Sequence, residues 1–212
     1  MNSIVQRFEN IKSLMVNSNA KIIAVSKTFS YDYIKPLVEY GHDHFGENKV
    51  QEAQAKWAEI KKNNSTIKLH MIGKLQSNKA KEAVNLFDYI HSLDNKKLAI
   101  LLAKHENNIN KKLNYFIQVN IGNESQKSGI AIKMLDDFFY FCTKELKLNI
   151  IGLMALPPND SKESFYFKNL MELNKLLGLN ELSMGMSADY QEALKYETTF
   201  VRIGSSIFGN RD

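Results

Sequence analysis

Short apolar or β-branched runs alternate along this chain with longer stretches in which apolar residues return every three or four positions. The short runs are IIAVS (22–26), HFGE (44–47), IKLHMI (67–72), YIHSL (89–93), NYFIQVN (114–120), NIIGLMAL (149–156), ELSMG (181–185) and TFVRIG (199–204). Each has the length and residue types of a buried strand. After a leading helix over 2–17, the intervening segments 30–41, 48–63, 77–86, 95–110, 131–147, 160–178 and 187–197 carry helical spacing. Strands separated in this way pair in parallel through crossover helices. Eight such units predict a closed (β/α)8 barrel with an extra N-terminal helix. The competing open, doubly wound sheet would announce a nucleotide by a glycine-rich turn after the first strand, and AVSKTFSYD contains no glycine. With no linker, low-complexity tract or internal repeat, the expectation is one domain over residues 1–212.

Composition narrows the class. A chain of 212 residues that is 44% hydrophobic can bury a full core. Its apolar runs are too short to cross a bilayer, and the start, MNSIVQRFENIKSLM, mixes apolar with charged residues, so a cytoplasmic protein is expected, without membrane contact. Cys142 is the single cysteine, and its spacing with Ile132, Leu135, Phe138, Phe139 and Leu146 predicts the buried stripe of an amphipathic helix. The net charge of +5 comes from scattered pieces such as the lysine pairs at 61–62, 96–97 and 111–112. These read as solvated faces rather than a nucleic-acid interface, because no basic stripe interleaved with aromatics is present. The charge does suit a site that holds an anion.

In a barrel the working groups stand at the C-terminal ends of the strands. There the sequence places Lys27; Glu47 and Asn48; His70; Ser92 and Asp94; Gln118 and Asn120; the SMGMS segment; and Arg202 with the following GSS. Strand alternation puts Lys27 on the face of Val25 and Ile23, His70 on that of Ile72, and Arg202 on that of Gly204. Two loops suit a phosphate: Gly185 and Ser187 open one predicted helix, and Gly204, Ser205 and Ser206 open a short turn. They follow strands seven and eight, where this architecture places its phosphate site. Closure sets strand one beside strand eight, so Lys27 comes near that phosphate. A lysine there, partly desolvated and near Arg202, should have a depressed amine pKa and attack an aldehyde. The phosphate-bearing aldehyde that binds a lysine in this way is pyridoxal 5′-phosphate (PLP).

Ordered blocks along nearly the whole chain, AVSKT (24–28), FGENKVQEA (45–53), HMIGKLQSNKAK (70–81), HSLD (91–94), QVNIGNESQKSG (118–129), GLMALPP (152–158), LSMGMSADYQEA (182–193) and VRIGSSIFG (201–209), resemble the pyridoxal phosphate homeostasis proteins. That family is similar to the N-terminal barrel of alanine racemase without its second domain. The resemblance implies an internal aldimine on Lys27, Arg202 facing the pyridine nitrogen, and Ser187, Gly204 and Ser205 holding the phosphate. It also implies that Asn48 and His70 line the ring pocket. Lys74 occupies a variable position and decides nothing. The function implied is that of a monomeric carrier, which holds and exchanges PLP in vitamin B6 and amino-acid homeostasis, with PLP-dependent apoenzymes as partners. No metal and no catalytic residue is expected. The alternative is a PLP-dependent amino-acid racemase, in which a tyrosine or histidine of the barrel mouth, with His70 as a candidate, would stand in as the second proton donor.

Overall fold

A computed structural model describes residues 2–124 and 126–209. Eight parallel strands close into a barrel in sequence order: β1 (Lys21–Val25), β2 (His44–Glu47), β3 (Lys68–Met71), β4 (Tyr89–Leu93), β5 (Asn114–Val119), β6 (Ile150–Ala155), β7 (Glu181–Met186) and β8 (Phe200–Ile203). The closing pair aligns Lys21 with Phe200 and Ile23 with Arg202. The alternation of residues along the strands sorts them into two cores. Outward-facing residues such as Phe45, Leu69, Ile90 and Val201 pack under the helices, and Ile23, Phe116, Met154 and Phe200 fill the barrel interior. Among the described residues no helix is long and apolar enough to cross a membrane.

The helices arise where the apolar period predicts them and begin or end differently. α1 (Ser3–Leu14) is capped by the Asn2 side chain, which accepts from the Ile4 amide, and stops short of 17. α2 (Tyr31–Glu39) has Ser30 as its cap. α3 (Val50–Asn63) starts two residues later than its period suggests, which leaves Asn48 and Lys49 in a loop. α4 (Ala80–Leu86) follows a 3-10 turn at Ser77–Lys79, and α5 (Lys96–Ile109) is capped by Asn95.

The segment expected as one helix over 131–147 divides into a 3-10 turn (Ile132–Met134), α6 (Leu135–Tyr140) and a π-helical turn (Phe141–Glu145). The Leu146 amide bonds to the Phe141 carbonyl five residues back, and Thr143 Oγ1 bonds to the Phe139 carbonyl. Leu135, Phe138 and Cys142 are buried as the stripe predicts, and burial pushes the Cys142 thiol up to about 12. Ile132 is exposed instead, because the 3-10 turn takes it off the 3.6-residue period. α7 (Glu163–Leu176) is shorter than 160–178. α8 (Tyr190–Ala193) starts three residues later than expected, because Asp189 folds its carboxylate back onto the Met186 amide at 2.6 Å. α9 (Ser205–Phe208) closes the described chain.

One buried polar cluster fixes the ends of β1 and β2. Glu47, fully buried, accepts at Oε1 from Ser26 Oγ (2.7 Å), Lys56 Nζ (2.8 Å) and Trp57 Nε1 (2.9 Å). Lys56 also donates to the Ser26 carbonyl at 2.6 Å. The residue before Lys27 is therefore clamped from both its side chain and its backbone. Removing one member of such a pair strands the other as a buried charge, at a cost of roughly 3–5 kcal/mol. Lys56→Met is expected to lower urea stability by about that amount. A loss within ~0.5 kcal/mol, the size of an ordinary surface substitution, would show that the cluster does not hold the strand ends.

Candidate cofactor-binding site

Lys27 leaves β1 in a strained turn. The Ser26 amide still bonds to the Gly46 carbonyl of β2, and the Phe29 amide turns back to the Ser26 carbonyl at 3.2 Å. Between them Thr28 has φ of 70°, left-handed backbone that a β-branched residue adopts only under constraint. The strand thus ends abruptly, and the turn presents Lys27 to a cavity of about 810 Å3 at the C-terminal end of the barrel.

The cavity collects residues from strand ends far apart in sequence. Lys27 enters from β1, Asn48 from the loop after β2, Arg202 from β8, and Ser187, Gly204 and Ser205 from the loops after β7 and β8. Val25, Phe29, Ile72, Leu156 and Met186 supply apolar wall. Asn48 is seated by close backbone contact: a Cβ on Gly73 would lie 2.3 Å from the Asn48 carbonyl oxygen, so only glycine lets the loops cross there. Gly185 has φ of 90°, and a Cβ on it would come within 2.8 Å of Ala193 Cβ, so glycine also sets the β7 turn. Past it the β7–β8 register shifts, pairing Met186 with Arg202.

Ser187 is not the helix cap that its position suggests, since α8 begins at Tyr190. Its Oγ instead accepts the Gly204 amide at 3.3 Å and ties the two serine-bearing loops together. Arg202 is buried, with Nη1 donating to Ser183 Oγ at 2.7 Å and Nη2 to the Ala155 carbonyl at 2.9 Å. Burial lowers its pKa from 12.5 to about 10, and Asp189 opposes that shift, so it stays a cation and a pure donor near neutral pH.

Six of the seven residues expected at the site meet in this cavity: Lys27, Asn48, Ser187, Arg202, Gly204 and Ser205. His70 is not among its lining residues. It stands two residues down β3 from the cavity-lining Ile72, fully buried, with Nδ1 2.9 Å from His91 Nε2 and Nε2 2.8 Å from His44 Nδ1. Burial, then the neighbouring His91, hold its pKa well below the usual value of 6.5, so it is neutral with both ring nitrogens engaged. Gln118 and Asn120 close their own loop: Gln118 Nε2 donates to the Ser128 carbonyl, and Asn120 Nδ2 donates to the Glu124 carbonyl while its Oδ1 accepts the Glu124 amide. Asp94 accepts from Asn95 Nδ2. Ser183, which holds Arg202, was visible only as the first polar residue of SMGMS, and the apolar wall carried no signal beyond strand alternation.

The alanine racemase N-terminal domain family model matches residues 1–212. The pyridoxal phosphate homeostasis protein of Vibrio cholerae is 34% identical, covering 100% of this chain and 98% of its own. That of Buchnera aphidicola is 38% identical over 90% of this chain and 86% of its own. Among solved structures, PipY of Synechococcus elongatus with PLP bound superposes with a TM-score of 0.88 at 32% identity, covering 97% of this chain and 100% of that one. Matched over residues 1–212 by the alanine racemase N-terminal domain model and above 30% identical to these relatives, the chain belongs to the pyridoxal phosphate homeostasis protein family.

Proposed function

We propose that this chain holds and exchanges PLP at the mouth of its barrel, in cytoplasmic vitamin B6 and amino-acid homeostasis, with Lys27 as the attachment point. The observation that carries the reading is that Lys27, Arg202 and two serine-bearing loops tied by the Ser187–Gly204 hydrogen bond line one cavity. The relatives' name and the PLP-bound PipY neighbour support it. At about 810 Å3 the cavity is within the range of small-molecule sites.

The residues fit the group chemically. Lys27 would hold the group through its Nζ at the aldehyde carbon, with one water released on attachment and taken up again on release. Ser187 and Ser205 offer hydroxyls, and the turn at Gly204–Ser205 offers first-turn amides, which suits a phosphate. Arg202 can only donate, so it would meet a ring nitrogen that carries no proton. Val25, Ile72 and Leu156 provide apolar surface against which a flat ring can lie. When bound, the cofactor supplies the aldehyde and a conjugated ring able to accept electrons. Since all these groups come from one chain, a monomer suffices on this reading, and PLP-dependent apoenzymes are the recipients.

Purified protein incubated with PLP is expected to gain a visible absorption band that borohydride traps, and peptide mass mapping is expected to place the reduced adduct on Lys27. An adduct on Lys74 or Lys79, which line a neighbouring cleft, would overturn the assignment. Each charge-assisted hydrogen bond to the phosphate contributes about 1.5–3 kcal/mol. Ser187→Ala combined with Ser205→Ala is therefore expected to weaken PLP by at least about ten-fold more than it weakens unphosphorylated pyridoxal. Equal losses for the two ligands would put the phosphate elsewhere.

A further inference from the structure

Behind Arg202 an unbroken line of hydrogen bonds runs through the barrel interior. Arg202 Nη1 meets Ser183 Oγ at 2.7 Å, Ser183 Oγ meets His91 Nδ1 at 2.8 Å, His91 Nε2 meets His70 Nδ1 at 2.9 Å, and His70 Nε2 meets His44 Nδ1 at 2.8 Å. The five side chains come from β8, β7, β4, β3 and β2. His44 is the first residue of β2, so the line ends at the N-terminal face of the barrel, in a second cavity of about 480 Å3 shared with Lys21, His42 and Asp43. Ser183, His91 and His70 are fully buried. Tyr89 stacks on His70 at 4.2 Å and Phe116 on His91 at 4.3 Å, which keeps the rings in place.

Proton counting gives this line one direction. Arg202 can only donate, so Ser183 Oγ accepts from it. The serine proton then goes to His91 Nδ1. A neutral imidazole has one donor and one acceptor, so His91 carries its proton on Nε2 and donates to His70 Nδ1; His70 in turn donates from Nε2 to His44 Nδ1. His44 is left with its proton on Nε2, the nitrogen that lies 3.8 Å from Asp43 Oδ1. Every donor from Arg202 to His70 finds an acceptor, and the His44 Nε2 proton faces the Asp43 carboxylate. The reverse order would make Ser183 accept from both Arg202 and His91, leave its own proton without an acceptor in the line, and set an unprotonated His44 nitrogen against the Asp43 carboxylate.

We propose that Ser183, His91, His70 and His44 form a directed hydrogen-bond chain that positions the Arg202 guanidinium in the cofactor cavity and ties that position to His44 at the opposite face. Bonds in such a chain polarise one another, so a disturbance at one end is felt at the other. Protonated His44 would present an Nδ1 proton to the His70 Nε2 proton, and two donors would meet at 2.8 Å. The groups around His44 are Asp43 beside it, His42 with its Nε2 2.8 Å from the His44 carbonyl, His70 and Lys68 from β3, Lys21 from β1, Asp88 ahead of β4, Tyr89 from β4 and Phe200 from β8. Burial is the largest influence there and keeps the His44 pKa below its usual value, with Lys21 and Lys68 opposing Asp43 and Asp88. A lowered His pKa means that the unfolded protein binds more protons below about pH 6.5, so folding stability falls as pH drops below that value, while the His70–His44 hydrogen bond lasts until folded His44 is itself protonated, below its usual range.

The link to PLP affinity rests on the function proposed above; the chain itself does not. Long-range proton–nitrogen NMR of cofactor-free protein labelled with 15N-histidine, at pH 7.5, tests it directly. His44, His70 and His91 are all expected to be neutral Nε2–H tautomers, and an Nδ1–H tautomer at His91 or His70 would overturn the proposal. His44→Phe, which removes the terminal acceptor, is expected to mix the tautomers of His70 and His91 and weaken PLP binding about ten-fold. His44→Gln, whose side-chain oxygen can accept from His70, is expected to restore the single tautomer pattern. A His44→Phe protein with unchanged tautomers and unchanged PLP affinity would also overturn the proposal. Wild-type protein with the uniform tautomers but no uptake of PLP would support the chain and overturn the cofactor reading instead.

Discussion

Closure of the barrel between β1 and β8 is the constraint on which the rest depends. The pairing of Ile23 with Arg202 brings the end of the first strand beside the last, so Lys27 and the Gly204–Ser205 turn line one cavity although they stand at opposite ends of the sequence. In an open sheet these two strands could lie at opposite edges, and the lysine would have no arginine or phosphate-type loop within reach. Closure in turn requires that both strand ends be held. The Ser26–Glu47–Lys56–Trp57 cluster holds β1 against β2, and the Thr28 backbone stores strain in the turn that carries Lys27.

Closure also creates an interior that apolar side chains do not fill alone. Ile23, Phe116, Met154 and Phe200 occupy part of it, and buried polar groups share it: His70, His91, Ser183 and Arg202. Burying such groups singly would cost several kcal/mol each. Joined end to end, each satisfies its neighbour, and the rings stack flat on Tyr89 and Phe116 and meet Phe200 at a tilt. The line holds one guanidinium nitrogen of Arg202 and the Ala155 carbonyl holds the other before any ligand arrives, which lowers the ordering cost of binding.

Much of this was legible in the sequence. Eight apolar runs at regular spacing, each followed by a helical period, identify parallel strands, and the glycine-free AVSKTFSYD turn excludes a nucleotide-type first loop. The strand-end rule then located Lys27, Asn48, Arg202 and both serine-bearing loops. What failed was depth. Alternation placed His70 on the interior face with Ile72, but a strand rises about 3.3 Å per residue, and two residues separate a cavity wall from the middle of the barrel. Helix starts were misplaced where a loop had other work: Asp189 folds onto Met186 before α8, and Asn48 stays over Gly73 before α3. The line from His44 to Ser183 was illegible, because its links join residues up to 92 positions apart on different strands and each looks like an ordinary buried polar group.

The central claim is that one set of strand ends presents a lysine, an arginine and a phosphate cradle to the same ligand. The most direct test is a crystal structure of the protein grown with PLP, at a resolution that separates ring, aldehyde carbon and phosphate. Continuous density from Lys27 Nζ to the aldehyde carbon, with the phosphate at Ser187, Gly204 and Ser205 and Arg202 toward the ring nitrogen, is the predicted result. Density attached to another lysine, or a phosphate turned away from the β7 and β8 loops, would contradict the account.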